Sequence, residues 1–95
     1  MNDAVPTRQL CPTLGKLKYA ARFERPTQEI VLCESAGQLA ALLQSLQPPN
    51  TPPQLGWSTA AVYHAIKERR SLSPRFVGML ARDGVVELKR LDGRA

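Results

Sequence analysis

The sequence predicts an α+β fold: a β-hairpin covered by one helix, followed by a helix-turn-helix-like pair of helices and a short C-terminal strand. Three observations carry this. Residues 16–24 alternate apolar and polar side chains with the period of a half-buried strand, and a second apolar run of strand length follows at 29–33. Leu39, Leu42, Leu43 and Leu46 recur at spacings of three and four, the signature of one helical face. Ser58 and Ser73 each stand as an N-cap before a segment with helical apolar spacing.

The first 15 residues, with Pro6, Pro12 and Gly15 and little periodicity, read as a flexible N-terminal arm, and residues 16–95 as a single compact domain. In the first strand Leu17, Tyr19, Ala21 and Phe23 share one face, and Lys18, Ala20, Arg22 and Glu24 the other. Arg25-Pro26-Thr27 supplies a turn, and the run from Glu29 to Cys33 completes an antiparallel hairpin. A hairpin alone is marginal in water, so a covering element is needed. That element follows: Ser35 and Gln38 form a capping box for a helix over about 36–47, which Pro48 ends. The prolines at 48, 49, 52 and 53 make a stiff spacer that sets where the second half docks.

Beyond the spacer, Trp57 precedes the Ser58 cap at the position that staples onto Val62, so a helix starts at about 59. Ala61, Val62, Ala65 and Ile66 fall on its inner side, leaving Thr59, Ala60, Tyr63, His64 and Lys67 pointing outward. The next helix has Ser73 as cap, Pro74 in its first position and Gly84 as a left-handed stop. Leu72 is placed to staple onto Val77, with Phe76, Val77, Leu80 and Ala81 as the inner face. After Gly84, residues 85–91 alternate again, with Val86 and Leu88 inward, and this run is expected to add a third strand to the hairpin.

These residues resemble a known family. Leu55-Gly56-Trp57-Ser58, the short helix with Val62 and Ile66, the basic run from Lys67 to Arg70 and the Ser-Pro-capped helix ending in Leu80-Ala81-Arg82 resemble a phage-repressor (Cro-type) helix-turn-helix domain over residues 54–84. The resemblance implies that the helix after Ser58 lies in the DNA major groove, with reading roles for Thr59, Ala60, Tyr63, His64 and Lys67. The sequence departs from that family where prolines replace the helix before the Leu-Gly turn, so the first helix is either reduced to a turn near Thr51 or replaced by the upstream helix. A second register, over 73–94, looks like a winged helix. It would turn Arg75, Gly78, Met79 and Arg82 to DNA, with Lys89, Arg90 and Arg94 on the wing.

Charge and chemistry narrow the function. The chain of 95 residues carries a net charge of +5 and is 43% hydrophobic. Residues 57–95 hold eight basic and four acidic side chains, against five and four in residues 1–56. The basic excess therefore lies on the helix-pair half, where it attracts phosphate through counterion release; a merely solvated basic surface is the plain alternative. Lys67, Arg69 and Arg70 would clamp phosphates, unless Glu68 ties them up. His64 would bond a guanine acceptor or a phosphate, or else be an inert surface residue, and Trp57 is assigned to the core.

Nothing points to an enzyme, because His64 has no carboxylate in a recognisable arrangement and no nucleophile motif is present. Cys11, Cys33 and one histidine are too few for a zinc site, so no metal or cofactor is expected. No apolar run approaches the ~20 residues that cross a bilayer, and no signal-peptide pattern opens the chain, which predicts a soluble, cytoplasmic protein. The expected partner is double-stranded DNA, read by a homodimeric regulator through Ser58, Thr59, Ala60, Tyr63, His64, Lys67, Arg69, Arg70 and Arg75. The second reading is an adaptor or phage-type inhibitor that docks on a protein partner through the leucine face of residues 39–46.

Overall fold

The computed structural model describes residues 5–9 and 16–91. In chain order these form β1 (Thr7–Gln9), β2 (Tyr19–Phe23), β3 (Glu29–Cys33), α1 (Ala36–Leu46), a 3-10 turn (Pro53–Leu55), α2 (Thr59–Lys67), α3 (Pro74–Arg82) and β4 (Val85–Arg90). The layout is α+β, with a four-stranded mixed sheet in the order β1-β3-β2-β4 packed against three helices.

The expected hairpin is present. Its register runs from Tyr19 opposite Cys33 to Phe23 opposite Glu29, so Tyr19, Ala21, Phe23, Val31 and Cys33 share the buried face. β4 joins β2 on the other side, antiparallel, and ties the two halves of the chain into one core. Its inward residues differ from the expected pair. Val85 and Leu88 are buried, whereas Val86 is 50% exposed. The cause is a bulge: Arg22 faces Glu87 and Phe23 faces Val85, which leaves Val86 outside the ladder and breaks the period of two.

The expected N-terminal arm is corrected at Thr7–Gln9, which pair in parallel with β3 along Ile30–Leu32. All three residues are exposed, so this edge strand has no apolar pattern to betray it and is held by main-chain bonds such as Ile30 N–H to the Pro6 carbonyl at 2.7 Å. Arg8 adds an exposed bond to Glu29 at 2.7 Å, and that carboxylate raises the pKa of the guanidinium above its ordinary value. Residues 1–4 and 10–15 of the expected arm, Cys11 among them, lie outside the described residues.

Helix α1 starts as expected, with the Ser35 hydroxyl accepting the Gln38 N–H at 3.1 Å. The Gln38 side chain returns to the Glu34 N–H at 2.8 Å, one residue before the partner of a standard capping box. Leu39 and Leu43 are fully buried and Leu42 half-buried, while Leu46 is 42% exposed. The leucine face is therefore core rather than a docking surface, and each fully buried leucine contributes about 1.5–3 kcal/mol.

Between α1 and α2 the prolines leave only the 3-10 turn where a repressor would carry a helix. That chain carries Trp57 into the core at 2% exposure, in one cluster with Val62, Phe76 and Met79. Helix α2 packs chiefly along α1 and β4, and α3 against β4 and the 3-10 turn. The inner face of α3 is Phe76, Met79 and Leu80; Val77 is 53% exposed and Ala81 also faces out, against the expected stripe and the Leu72–Val77 staple. The stripe is completed by Asp83, a polar residue that apolar periodicity does not count.

Asp83 is 7% exposed and fully engaged. Its carboxylate accepts the Trp57 indole N–H at 2.8 Å and two guanidinium bonds from Arg82 at 3.0 and 2.7 Å. A third Arg82 N–H reaches the Leu55 carbonyl at 2.7 Å. Gly84 follows at φ 72°, and a Cβ there would stand 2.7 Å from the Arg25 carbonyl oxygen.

Two stability predictions follow from this corner. Gly84→Ala combines left-handed backbone with a backbone clash and should lower unfolding free energy by about 1–3 kcal/mol, read from urea denaturation. Asp83→Ala strands a buried indole N–H and an arginine, and should cost about 2–4 kcal/mol in the same measurement, with Asp83→Asn costing less because it keeps an acceptor for Trp57.

Candidate nucleic-acid interface

Helix α2 exists because its ends and its two faces agree. The Ser58 hydroxyl accepts the Ala61 N–H at 3.0 Å, and the Glu68 N–H closes the other end on the His64 carbonyl at 2.9 Å. Ala61, Val62 and Ala65 are buried and Ile66 is half-buried, so two alanines bring the helix close against its neighbours. Thr59, Ala60, Tyr63, His64 and Lys67 are all exposed, as their spacing requires.

Two ring contacts hold the flanks of this outer face. His64 lies over Phe76 with centroids 4.7 Å apart, and the Arg75 guanidinium stands 4.9 Å from the same ring. Tyr63 meets Tyr19 edge-on at 6.3 Å, and Arg90 lies 6.0 Å from the Tyr19 ring. Each cation near an aromatic face gains about 0.5–1 kcal/mol at an exposed site. Basic groups thus border α2 on both sides.

The candidate residues divide into two open clefts. Ser58, Ala60, His64 and Arg75 line one along α2, together with Ser73 and Phe76. Arg69 and Arg70 line another, together with Arg22 from β2 and Ala65 of α2. Thr59, Tyr63 and Lys67 lie on the exposed surface outside both linings. Ser58 is engaged as a cap through its oxygen, which leaves its hydroxyl proton as the group it can offer. Arg69 pairs with Glu87 at 3.5 Å, not with Glu68, and the pair is too exposed and long to contribute more than a few tenths of a kcal/mol.

The winged-helix register does not fit this geometry. Met79 is 1% exposed and Arg82 is bound to Asp83 and Leu55, so neither faces outward as that register requires. Arg94 lies outside the described residues.

Arg22 and Arg90 are basic groups of this surface that the helix periodicity does not assign to it. Arg22 stood on the solvent face of an isolated strand, and only the register of β4 against β2 brings it beside Glu87 and the residues after α2. The winged-helix register puts Arg90 on a wing, whereas its strand brings it to the Tyr19 ring.

Among the described residues no three potential metal ligands cluster, and no helix is long and apolar enough to cross a membrane. Compared with known proteins, the chain matches no family model, no curated protein and no solved structure.

Proposed function

We propose that this chain is a non-enzymatic, sequence-specific DNA-binding protein, a small transcription regulator that offers the outer face of α2 to the major groove and acts as a homodimer. The observation that carries this reading is the exposed row of Thr59, Ala60, Tyr63, His64 and Lys67 on a helix whose opposite face is core. A helix with its side chains is about 10–12 Å across, which a major groove about 12 Å wide admits. Threonine, tyrosine, histidine and lysine supply donors and acceptors for base edges, while the alanine leaves room for close approach.

The basic groups have the complementary role. Lys67, Arg69 and Arg70 follow the reading face in sequence, with Arg75 and Arg90 beside it, and such contacts set affinity and register without reading sequence. Twofold pairing is part of the proposal because one short helix covers only a few base pairs. Docking of a protein partner on the leucine face is not carried forward, since Leu39 and Leu43 are interior.

Fluorescence anisotropy of a labelled mixed-sequence duplex, titrated at several salt concentrations, tests the reading. Binding should weaken steeply with salt. The triple variant Lys67→Ala, Arg69→Ala, Arg70→Ala should bind all sequences more weakly, with a log–log salt slope reduced by up to about 3, since each phosphate contact contributes about 0.9. An unchanged slope overturns the assignment of these three residues. Thr59→Ala and His64→Ala should instead change the preference among sequences, measured by selection from a randomised duplex pool.

A further inference from the structure

The β4 bulge and the chain after α2 enclose an open cleft of about 460 Å³, within the roughly 300–1,000 Å³ of small-molecule sites. Arg22, Arg69, Arg70, Leu72, Val86 and Glu87 contribute to its lining. The three arginines come from two separate parts of the chain, a sheet strand and the link between two helices. Among the described residues neither Arg22 nor Arg70 pairs with a carboxylate, and Arg69 has only its long, exposed contact to Glu87. Three guanidinium charges against one carboxylate leave the cleft with an excess of two positive charges.

Its apolar side is equally specific. Leu72 is half-buried, and the bulge turns Val86 out of the ladder to stand 50% exposed in the wall. Bulges commonly re-aim side chains beside binding sites. The matching ligand has a compact group of two negative charges attached to an apolar or planar body. A carboxylate brings one charge and two oxygens and would leave an arginine unused. A phosphate monoester brings about −1.5 to −2 charge and three acceptor oxygens, which suit guanidinium forks.

We propose that this cleft binds an organic phosphate monoester of mononucleotide size, with its phosphate among Arg22, Arg69 and Arg70 and its body against Leu72 and Val86. Glu87 opposes the bound phosphate and competes for Arg69, so it limits affinity. The proposal does not depend on DNA reading by α2, because it concerns a ligand bound in the absence of a duplex. The same chemistry occurs on a free nucleotide and on the 5′-phosphate end of a nucleic-acid strand.

Isothermal titration calorimetry on the whole chain tests this with adenosine monophosphate, adenosine, and a short single strand with and without a 5′-phosphate. Adenosine monophosphate should bind with a submillimolar Kd, and adenosine should bind at least about tenfold more weakly. Arg22→Gln and Arg70→Gln should each weaken the nucleotide about tenfold, and Glu87→Gln should tighten it severalfold, a gain that damage to the fold would not produce. A 5′-phosphorylated strand that outcompetes the mononucleotide assigns the site to strand ends, and equal or weaker binding assigns it to free nucleotides; both support a monoester site. Absence of heat with millimolar nucleotide, equal binding of adenosine, or wild-type affinity in Arg22→Gln overturns it.

Discussion

A buried carboxylate sets the geometry of this molecule. Taking Asp83 out of water costs several kcal/mol unless its oxygens are satisfied, and here Arg82 and the Trp57 indole satisfy them together. Arg82 and Asp83 are neighbours in the chain, and Trp57 reaches them from 26 residues away. Trp57 lies immediately before α2, Arg82 ends α3, and Asp83 leads through Gly84 into β4. With the bond from Arg82 to the Leu55 carbonyl, one charge cluster fixes where the 3-10 turn, the start of α2 and the end of α3 meet. Among the described residues no buried side-chain polar atom lacks a hydrogen-bond partner, so the cluster is closed.

That corner explains how nine residues can form a firm helix with a polar outer face. A helix of this length is not stable in isolation and draws its stability from the face it buries. Ala61, Val62 and Ala65 supply that face against α1 and β4, and Trp57 anchors the residue before the cap. The Gln44 side-chain amide donates to the Trp57 carbonyl, while the Gln47 side chain accepts the Trp57 N–H at 3.2 Å, so α1 also holds the entry to α2. The outer side chains are then free of structural duty except where His64 and Tyr63 rest on rings below them. A row of side chains held on a packed helix is better suited to read a rigid groove than the same residues on a loop.

The parts of this fold that were legible in the sequence are those whose signals are local. The hairpin, the helix starts after Ser35, Ser58 and Ser73 and the left-handed glycine each depend on a few neighbouring residues and stand where the pattern places them, although the Ser73 hydroxyl, unlike the other two, makes no capping bond. What was missed depends on pairing between distant segments. Thr7–Gln9 is a strand only because β3 offers it an edge. Val86 is displaced by a bulge that alternation within β4 cannot reveal, since it arises from how β2 lies opposite. Apolar period alone sets the inner stripe of α3 one side off, because its last member is an aspartate, buried by virtue of a tryptophan 26 residues away. For the site, the outward face of α2 followed from period alone, but the addition of Arg22 required the sheet register.

The basic groups around α2 are unequal: Arg75 lies against the Phe76 ring beside His64, whereas Arg22, Arg69 and Arg70 gather where the helix ends. At the far end the backbone contributes partial negative charge, and Lys67, Arg69, Arg70 and Arg22 must first offset it, as well as Glu87. If both proposals hold, Arg69 and Arg70 serve two anions, and linkage then demands that each ligand weaken the other by the same factor. The organic phosphate would act as a negative effector of DNA binding through shared arginines, with no conformational change required.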